Sequence, residues 1–198
     1  MMVDNMEMKK NNFDEKKAQK AIRLLLESFG EDLEREGLRH TPERVAEFYK
    51  ETLSGNGVDS SKLVPIHYSA EEHEEIIFVK DIPLYSLCEH HLLSFFGKAC
   101  VAYMPQKNKI VGVSKLVRLV EVFANRLQLQ ERLTKQIADT IMKSIEPHGV
   151  MVVIEAEHLC MTMRGVKKPG TKILTSAMRG VFLKDMRARA EAISLLGR

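Results

Sequence analysis

The sequence predicts an α+β fold, on three observations. Two helical segments come first; apolar, β-branched runs follow with a pair of helices set among them; and strands do not alternate one for one with helices, as a parallel sheet would require. Residues 14–29 place Ala18, Ala21, Ile22, Leu25 and Leu26 at helical spacing, with Gly30 as the stop. A second helix opens at Thr41-Pro42, Thr41 as N-cap and proline in the first turn, with Val45, Ala46, Phe48 and Tyr49 as its core face. Turn residues fill 54–57 and 59–61.

Strand character begins at 75–82, which carries Ile76, Ile77, Phe78 and Val79, and continues at 97–104 and 110–113 with a turn at 105–108. Ser114 is the expected cap of a helix presenting Leu116, Leu119, Val120 and Phe123, and 129–145 forms another through Leu133, Ile137, Ile141 and Ile145. The run 150–158 reads as a buried strand, 171–175 as a weaker one, and 185–196 as a final helix. This divides the chain into an N-terminal tail and helical region, 1–65, and a sheet-bearing domain, 66–198.

A chain of 198 residues, 44% hydrophobic and 29% charged, can bury a core without disulfide staples. Its net charge of +3 is low for a general nucleic-acid binder, so any anion site must be local. Three cysteines, Cys88, Cys100 and Cys160, argue against a disulfide framework and for a reducing compartment. Residues 1–12 have no apolar signal-peptide core, and no long apolar run occurs. The expectation is a cytoplasmic protein with no membrane partner and a mobile tail over its first dozen residues.

Cys88-Glu89-His90-His91 carries the strongest chemical signal. Cysteine and histidine three apart on a turn can reach one metal, and Cys160 supplies a second thiolate from far downstream. Cys88, His91 and Cys160 would form an open zinc site with room for water; on spacing alone, a closed structural site completed by His90 or His158 stands beside it. Cys100, between Ala99 and Val101, reads as a small buried hydrophobe. If 158–160 is extended, His158 and Cys160 share a face, which sets a proton-transfer group beside a metal ligand.

Gly112-Val113-Ser114-Lys115 leads from strand to helix, where unpaired amides, Lys115 and Arg118 favour phosphate as much as they suit a plain solvated cap. Arg164, Lys167, Lys168 and Arg179 add further cations. Gln130 and Glu131 open the next helix. Both suit plain first-turn polar positions, and the Glu131 carboxylate equally suits the acceptor of two parallel hydrogen bonds from a guanine edge.

Taken together and in order, these motifs resemble the GTP cyclohydrolase I family, from Thr41-Pro42-Glu43-Arg44-Val45-Ala46 to about Ile173. They include Gly112-Val113-Ser114-Lys115-Leu116, Gln128-Leu129-Gln130-Glu131-Arg132-Leu133-Thr134, His158-Leu159-Cys160-Met161 and Arg164-Gly165. The resemblance implies the tunnelling fold, an antiparallel sheet with two helices on one face. It implies a homodecamer of two stacked pentamers, with active sites between subunits. It implies zinc on Cys88, His91 and Cys160, and catalytic roles for His90, His158 and Ser114. Glu131 and the Gln130 backbone would read the pyrimidine edge of GTP. Lys115, Arg118 and Arg164 would join Ser114 around the ribose and triphosphate, with Arg44 reaching a neighbouring site. The implied reaction opens the guanine ring, releases formate and recloses to 7,8-dihydroneopterin triphosphate, the first step of tetrahydrofolate and pterin biosynthesis. Ser94 stands where many members carry proline, which bears on loop rigidity.

Two rivals share that fold. A pyruvoyl-tetrahydropterin synthase uses three histidines on zinc, and a nitrile reductase lacks this zinc set. A non-catalytic zinc-stabilised module predicts a closed, four-ligand metal and no turnover.

Overall fold

The computed structural model describes residues 13–65, 67–68, 73–107 and 109–197. The tail expected at 1–12, and Asn108 of the expected turn, lie outside them. Helix α1 (Glu15–Ser28) starts where Asp14 accepts from the Lys17 amide. It ends where Gly30, at φ +78°, lets its own amide reach Glu27 O and that of Glu31 reach Leu26 O, satisfying last-turn carbonyls. Helix α2 (Thr41–Thr52) packs against α1 and buries Pro42 and Ala46. Its cap residue is His40; Thr41 lies inside the helix and its hydroxyl donates to Gly37 O.

A short 3-10 turn (Ser60–Lys62) leads to strand β1 (His67–Tyr68), which pairs with β4 (Lys109–Ile110). The main sheet contains β2 (Ile77–Cys88), β3 (Ser94–Met104), β5 (Leu127–Gln128), β6 (Gly149–His158) and β7 (Lys172–Gly180), in the order β5-β2-β3-β6-β7. All its pairings are antiparallel except the short β2–β5 contact. Helices α3 (Val113–Ala124) and α4 (Gln130–Ile145) lie on one face, α3 on β2 and α4 on β6 and β7. A single turn α5 (Leu159–Thr162) follows β6, and α6 (Val181–Lys184) and α7 (Met186–Leu196) close the chain. The result is the α+β arrangement expected, an antiparallel sheet carrying two helices on one face.

Strand alternation builds both layers. Along β6, Val150, Val152, Ile154 and Ala156 join the core under α3 and α4, while Met151 and Val153 join Phe182 and Ala192 in the core on the other side. Along β3, Phe95, Ala99, Val101 and Tyr103 face the first core and Cys100 and Ala102 the second. Cys100 is a buried hydrophobe on the face opposite Cys88, as expected.

Several boundaries differ from those expected. β2 runs through Pro83 to Cys88, because β5 meets β2 only at Leu87 and Cys88 and leaves an outer edge where a residue without an N–H fits. The chain turns helical at Val113, so the strand expected at 110–113 ends at Ile110. The cap residue there is Gly112, with no side-chain cap bond, so Ser114 is a first-turn residue and not the cap. β7 is longer than expected, reaching Gly180. The final helix lies where expected, with the Asp185 carboxylate accepting from the Arg187 and Ala188 amides to start α7, and the short turn α6 is added before it.

Candidate active site

The turn between β2 and β3 is tight. Cys88 N–H donates to Leu93 O, and the His91 and Leu92 amides donate back to Cys88 O, with Leu92 at φ 55°. This curls His91 over Cys88, with the thiol sulfur 3.8 Å from His91 Nδ1. Cys160 comes from the other side of β3, and the ligand atoms of Cys88, His91 and Cys160 all lie within 4.8 Å of one another. Cys88 is buried, Cys160 half-buried and His91 exposed. Burial pushes the Cys160 thiol up, and the adjacent Cys88 sulfur pushes it further, with Arg164 opposing weakly. Two crowded sulfurs and an imidazole favour a divalent cation between them, and three donors leave a fourth place open.

His158 and Cys160 do not share the face of an extended strand. The backbone is extended at His158 and helical from Leu159, closed by Met163 N–H to Leu159 O. That one turn carries Cys160 to the metal cluster, while His158 continues the β6 row facing α3 and α4. Its ring stacks on cross-strand Phe95, centroids 4.5 Å apart and planes within 3°. Burial pulls the His158 pKa below the ordinary histidine value, and Glu131 opposes.

Gln130, 2% exposed, fixes the state of that ring. Its Nε2 donates to Ile154 O and Ile173 O, each at 3.0 Å, and reaches Thr175 Oγ1 at 3.1 Å. The two carbonyls orient the amide, so Oε1 faces His158 Nε2 at 2.7 Å and Nε2 must carry the proton. Nδ1 is then the nitrogen that gains and loses a proton. Thr134 supports the arrangement by donating to Gln130 O at 2.7 Å while touching Thr175 Oγ1 at 2.7 Å.

Glu131, next on α4, is exposed and lines a cleft of about 400 Å³ with Lys135, Ser176, Arg179, Leu183 and Arg189. Arg179 is engaged with Asp139 at 2.6 Å. His90 is exposed, with its ring edge-on to His91 at 6.1 Å. Arg164 follows α5, near enough to influence Cys160. Arg44 is exposed on α2, whose last turn lines a cavity with Tyr85, Ser86, Leu87 and Ser94.

Ser114 and Lys115 stand apart from these. Ser86 donates to Ala124 O, so the C-terminal end of α3 lies beside the metal end of β2. The helical rise of about 1.5 Å per residue puts Ser114 roughly 15 Å further away. Independently, the Val111 amide donates to the Tyr103 hydroxyl, and Tyr103 pairs with Ile77 at the opposite end of β2 from Cys88. Lys115 shares that far end, and Arg118 is one turn nearer. One chain therefore gathers the three candidate metal ligands, His158, Gln130 and Glu131, but holds Ser114 and Lys115 at the other end of the sheet.

The period-two pattern of β3 marks Phe95 as core but not as the support of a histidine. The Thr134–Thr175 pair and the contact between Glu89 and Arg132 leave no local sequence signal.

The sequence model of the GTP cyclohydrolase I family matches residues 18–197. The chain is 60% identical over 184 residues to GTP cyclohydrolase 1 of Carboxydothermus hydrogenoformans, covering 93% of this chain and 95% of that one. It is 62% identical over 184 residues to GTP cyclohydrolase 1 of Pelotomaculum thermopropionicum, covering 93% and 97%.

Proposed function

The chain belongs to the GTP cyclohydrolase I family, and on that premise we propose that it is a hydrolase acting on GTP in tetrahydrofolate biosynthesis. It opens the guanine ring with water, releases formate and recloses the product to 7,8-dihydroneopterin triphosphate. The observation that carries this reading is the three-donor cluster of Cys88, His91 and Cys160, two residues from a histidine whose ring is fixed by Gln130.

Zinc is the metal we assign, because two thiolates and an imidazole suit it and a fourth place stays open. When bound, it lowers the pKa of water from about 16 towards 7, so hydroxide is available near neutral pH. His158 holds its Nε2 proton against Gln130 and uses Nδ1 to deliver a proton to the ring nitrogen beside the carbon under attack, so charge does not build up there. His90, on the metal turn, serves the imidazole half of the base. The Glu131 carboxylate accepts from the two parallel donors of the guanine edge, and the Gln130 backbone amide at the start of α4 donates to its carbonyl.

The triphosphate is gripped by Arg164 and by Ser114, Lys115 and Arg118 of a second copy, since one chain holds its own Ser114 and Lys115 far from its own metal cluster. Arg44 contributes from a further neighbour. This grip positions the base, which is where binding energy serves the reaction. A ring of five chains, stacked in pairs to a decamer, is the assembly we assign. The cytoplasm is its place, where thiol ligands stay reduced.

The test is incubation with GTP, with formate and fluorescent pterin both assayed, with and without a zinc chelator. Both products, lost on chelation and restored by zinc, are the expected result. Formate without pterin would break the account of reclosure; no turnover by folded, zinc-loaded protein would favour a binding module.

A further inference from the structure

We propose that Arg132 is a positioning residue that fixes the metal turn against the base-recognising end of α4, acting through Glu89. The inference rests on the reading above for the roles of the metal cluster and Glu131.

Glu89 lies directly after the ligand Cys88 and two residues before His91. His90, His91 and Leu92 are exposed, so little packing holds this turn. Glu89 ties it down twice. Its amide donates to Gln128 O at 3.1 Å, and its carboxylate receives a hydrogen bond from the Arg132 guanidinium.

Arg132 directly follows Glu131 on the first turn of α4. Besides Glu89, its guanidinium donates to Gln128 Oε1 at 3.0 Å and to Leu127 O at 2.8 Å. Gln128, 1% exposed, is itself anchored: its Nε2 donates to Phe123 O at 2.8 Å and Gln136 Oε1 at 3.0 Å. Arg132 thus joins three segments: the metal turn, the short strand β5 and the start of α4. The planar guanidinium sends separate N–H groups to these acceptors, a fan that one ammonium does not reproduce.

The pair contributes little to global stability. Side-chain exposures of 38% for Arg132 and 30% for Glu89 place it among half-solvated ion pairs, which are weak stabilisers. Its value lies in registration. The metal is held by one end of β2 and the base by α4, and the reacting atoms meet only if the two are correctly spaced. A displacement of about 1 Å in such an arrangement costs roughly 100-fold in rate.

The experiment compares the parent with Arg132→Met, Glu89→Gln, Arg132→Lys and the double variant Glu89→Gln/Arg132→Met, loaded with zinc for kinetics and with cobalt for visible absorption. In Arg132→Met, kcat is expected to fall roughly 10- to 100-fold while KM stays within about twofold. Cobalt content is expected to match the parent, but the change in the thiolate–cobalt bands on mixing with GTP is lost. Glu89→Gln follows in the same direction and keeps the proposal testable if Arg132→Met does not fold. Arg132→Lys recovers only part of the rate, and the double variant costs no more than Arg132→Met alone. Parental kcat in both single variants overturns the proposal. Loss of metal or a parallel rise in KM also overturns it, by showing a merely structural role. A parent that neither turns over GTP nor changes its cobalt bands overturns the functional reading and this inference with it.

Discussion

Gln130 Oε1 sits 2.7 Å from His158 Nε2, and this one contact decides which nitrogen of the neutral histidine carries the proton. The Gln130 amide is spoken for by Ile154 O and Ile173 O on its other side. It therefore accepts from the histidine and holds it as the Nε2–H form. Gln130→Met leaves the buried His158 N–H without its acceptor and removes the side-chain donor to Ile154 O and Ile173 O, so unfolding in urea should show a loss of about 1–3 kcal/mol. With the ring free to change tautomer, kcat should fall roughly tenfold or more at unchanged metal content. An unchanged kcat would remove Gln130 from the mechanism.

His158→Ala should keep its metal and lose product, with a fall in kcat of roughly 10²- to 10⁴-fold. Metal analysis beside the product assay separates the two roles: loss of zinc in this variant would make His158 a ligand.

Ser114 and Lys115 lie a helix length from the metal end of their own chain, so the phosphate grip proposed for them requires sites that draw on two copies. Lys115→Ala and His158→Ala should each be nearly inactive alone. Co-expressed, they should regain a fraction of the parental rate, because mixed assemblies contain sites with an intact α3 from one chain and an intact His158 from the other. Absence of any recovery in a demonstrated mixed assembly would put the whole site within one chain.

The start of α3 depends on Tyr103, fully buried, whose hydroxyl oxygen accepts from the Val111 amide at 3.1 Å. Tyr103→Phe should cost about 1–3 kcal/mol by orphaning that amide. Burial raises the Tyr103 pKa above the ordinary phenol value, and the Val111 bond opposes this only partly. The folded chain thus keeps this proton longer than the unfolded one. The contribution is full below about pH 10 and is lost as pH rises from there towards the folded value. Urea midpoints measured between neutral and alkaline pH should fall less steeply in Tyr103→Phe than in the parent.

Much of this site is legible in the sequence because it is local. Cys88 and His91 are brought together by one turn, and the apolar periods of α3, α4 and β6 follow directly from burial on one face or two. The rest is not local. His158 and Cys160 part company because the chain turns helical between them, a change that depends on where β6 runs out of partners. Gln130 looks like a first-turn polar residue until Ile154 and Ile173, from two different strands, arrive at its amide. Glu89 and Arg132 are 43 positions apart and meet only when β5 pairs with the end of β2. The distance of Ser114 from the metal end follows from the direction of α3 across the sheet, which no spacing of residues encodes.

The central claim is that Cys88, His91 and Cys160 form an open metal site with a place left for water. X-ray absorption at the zinc edge, on purified protein without nucleotide, tests it most directly. The account predicts two sulfur donors, one imidazole nitrogen and one oxygen in the first coordination sphere. A closed sphere with a second imidazole, or with protein donors only, would contradict it.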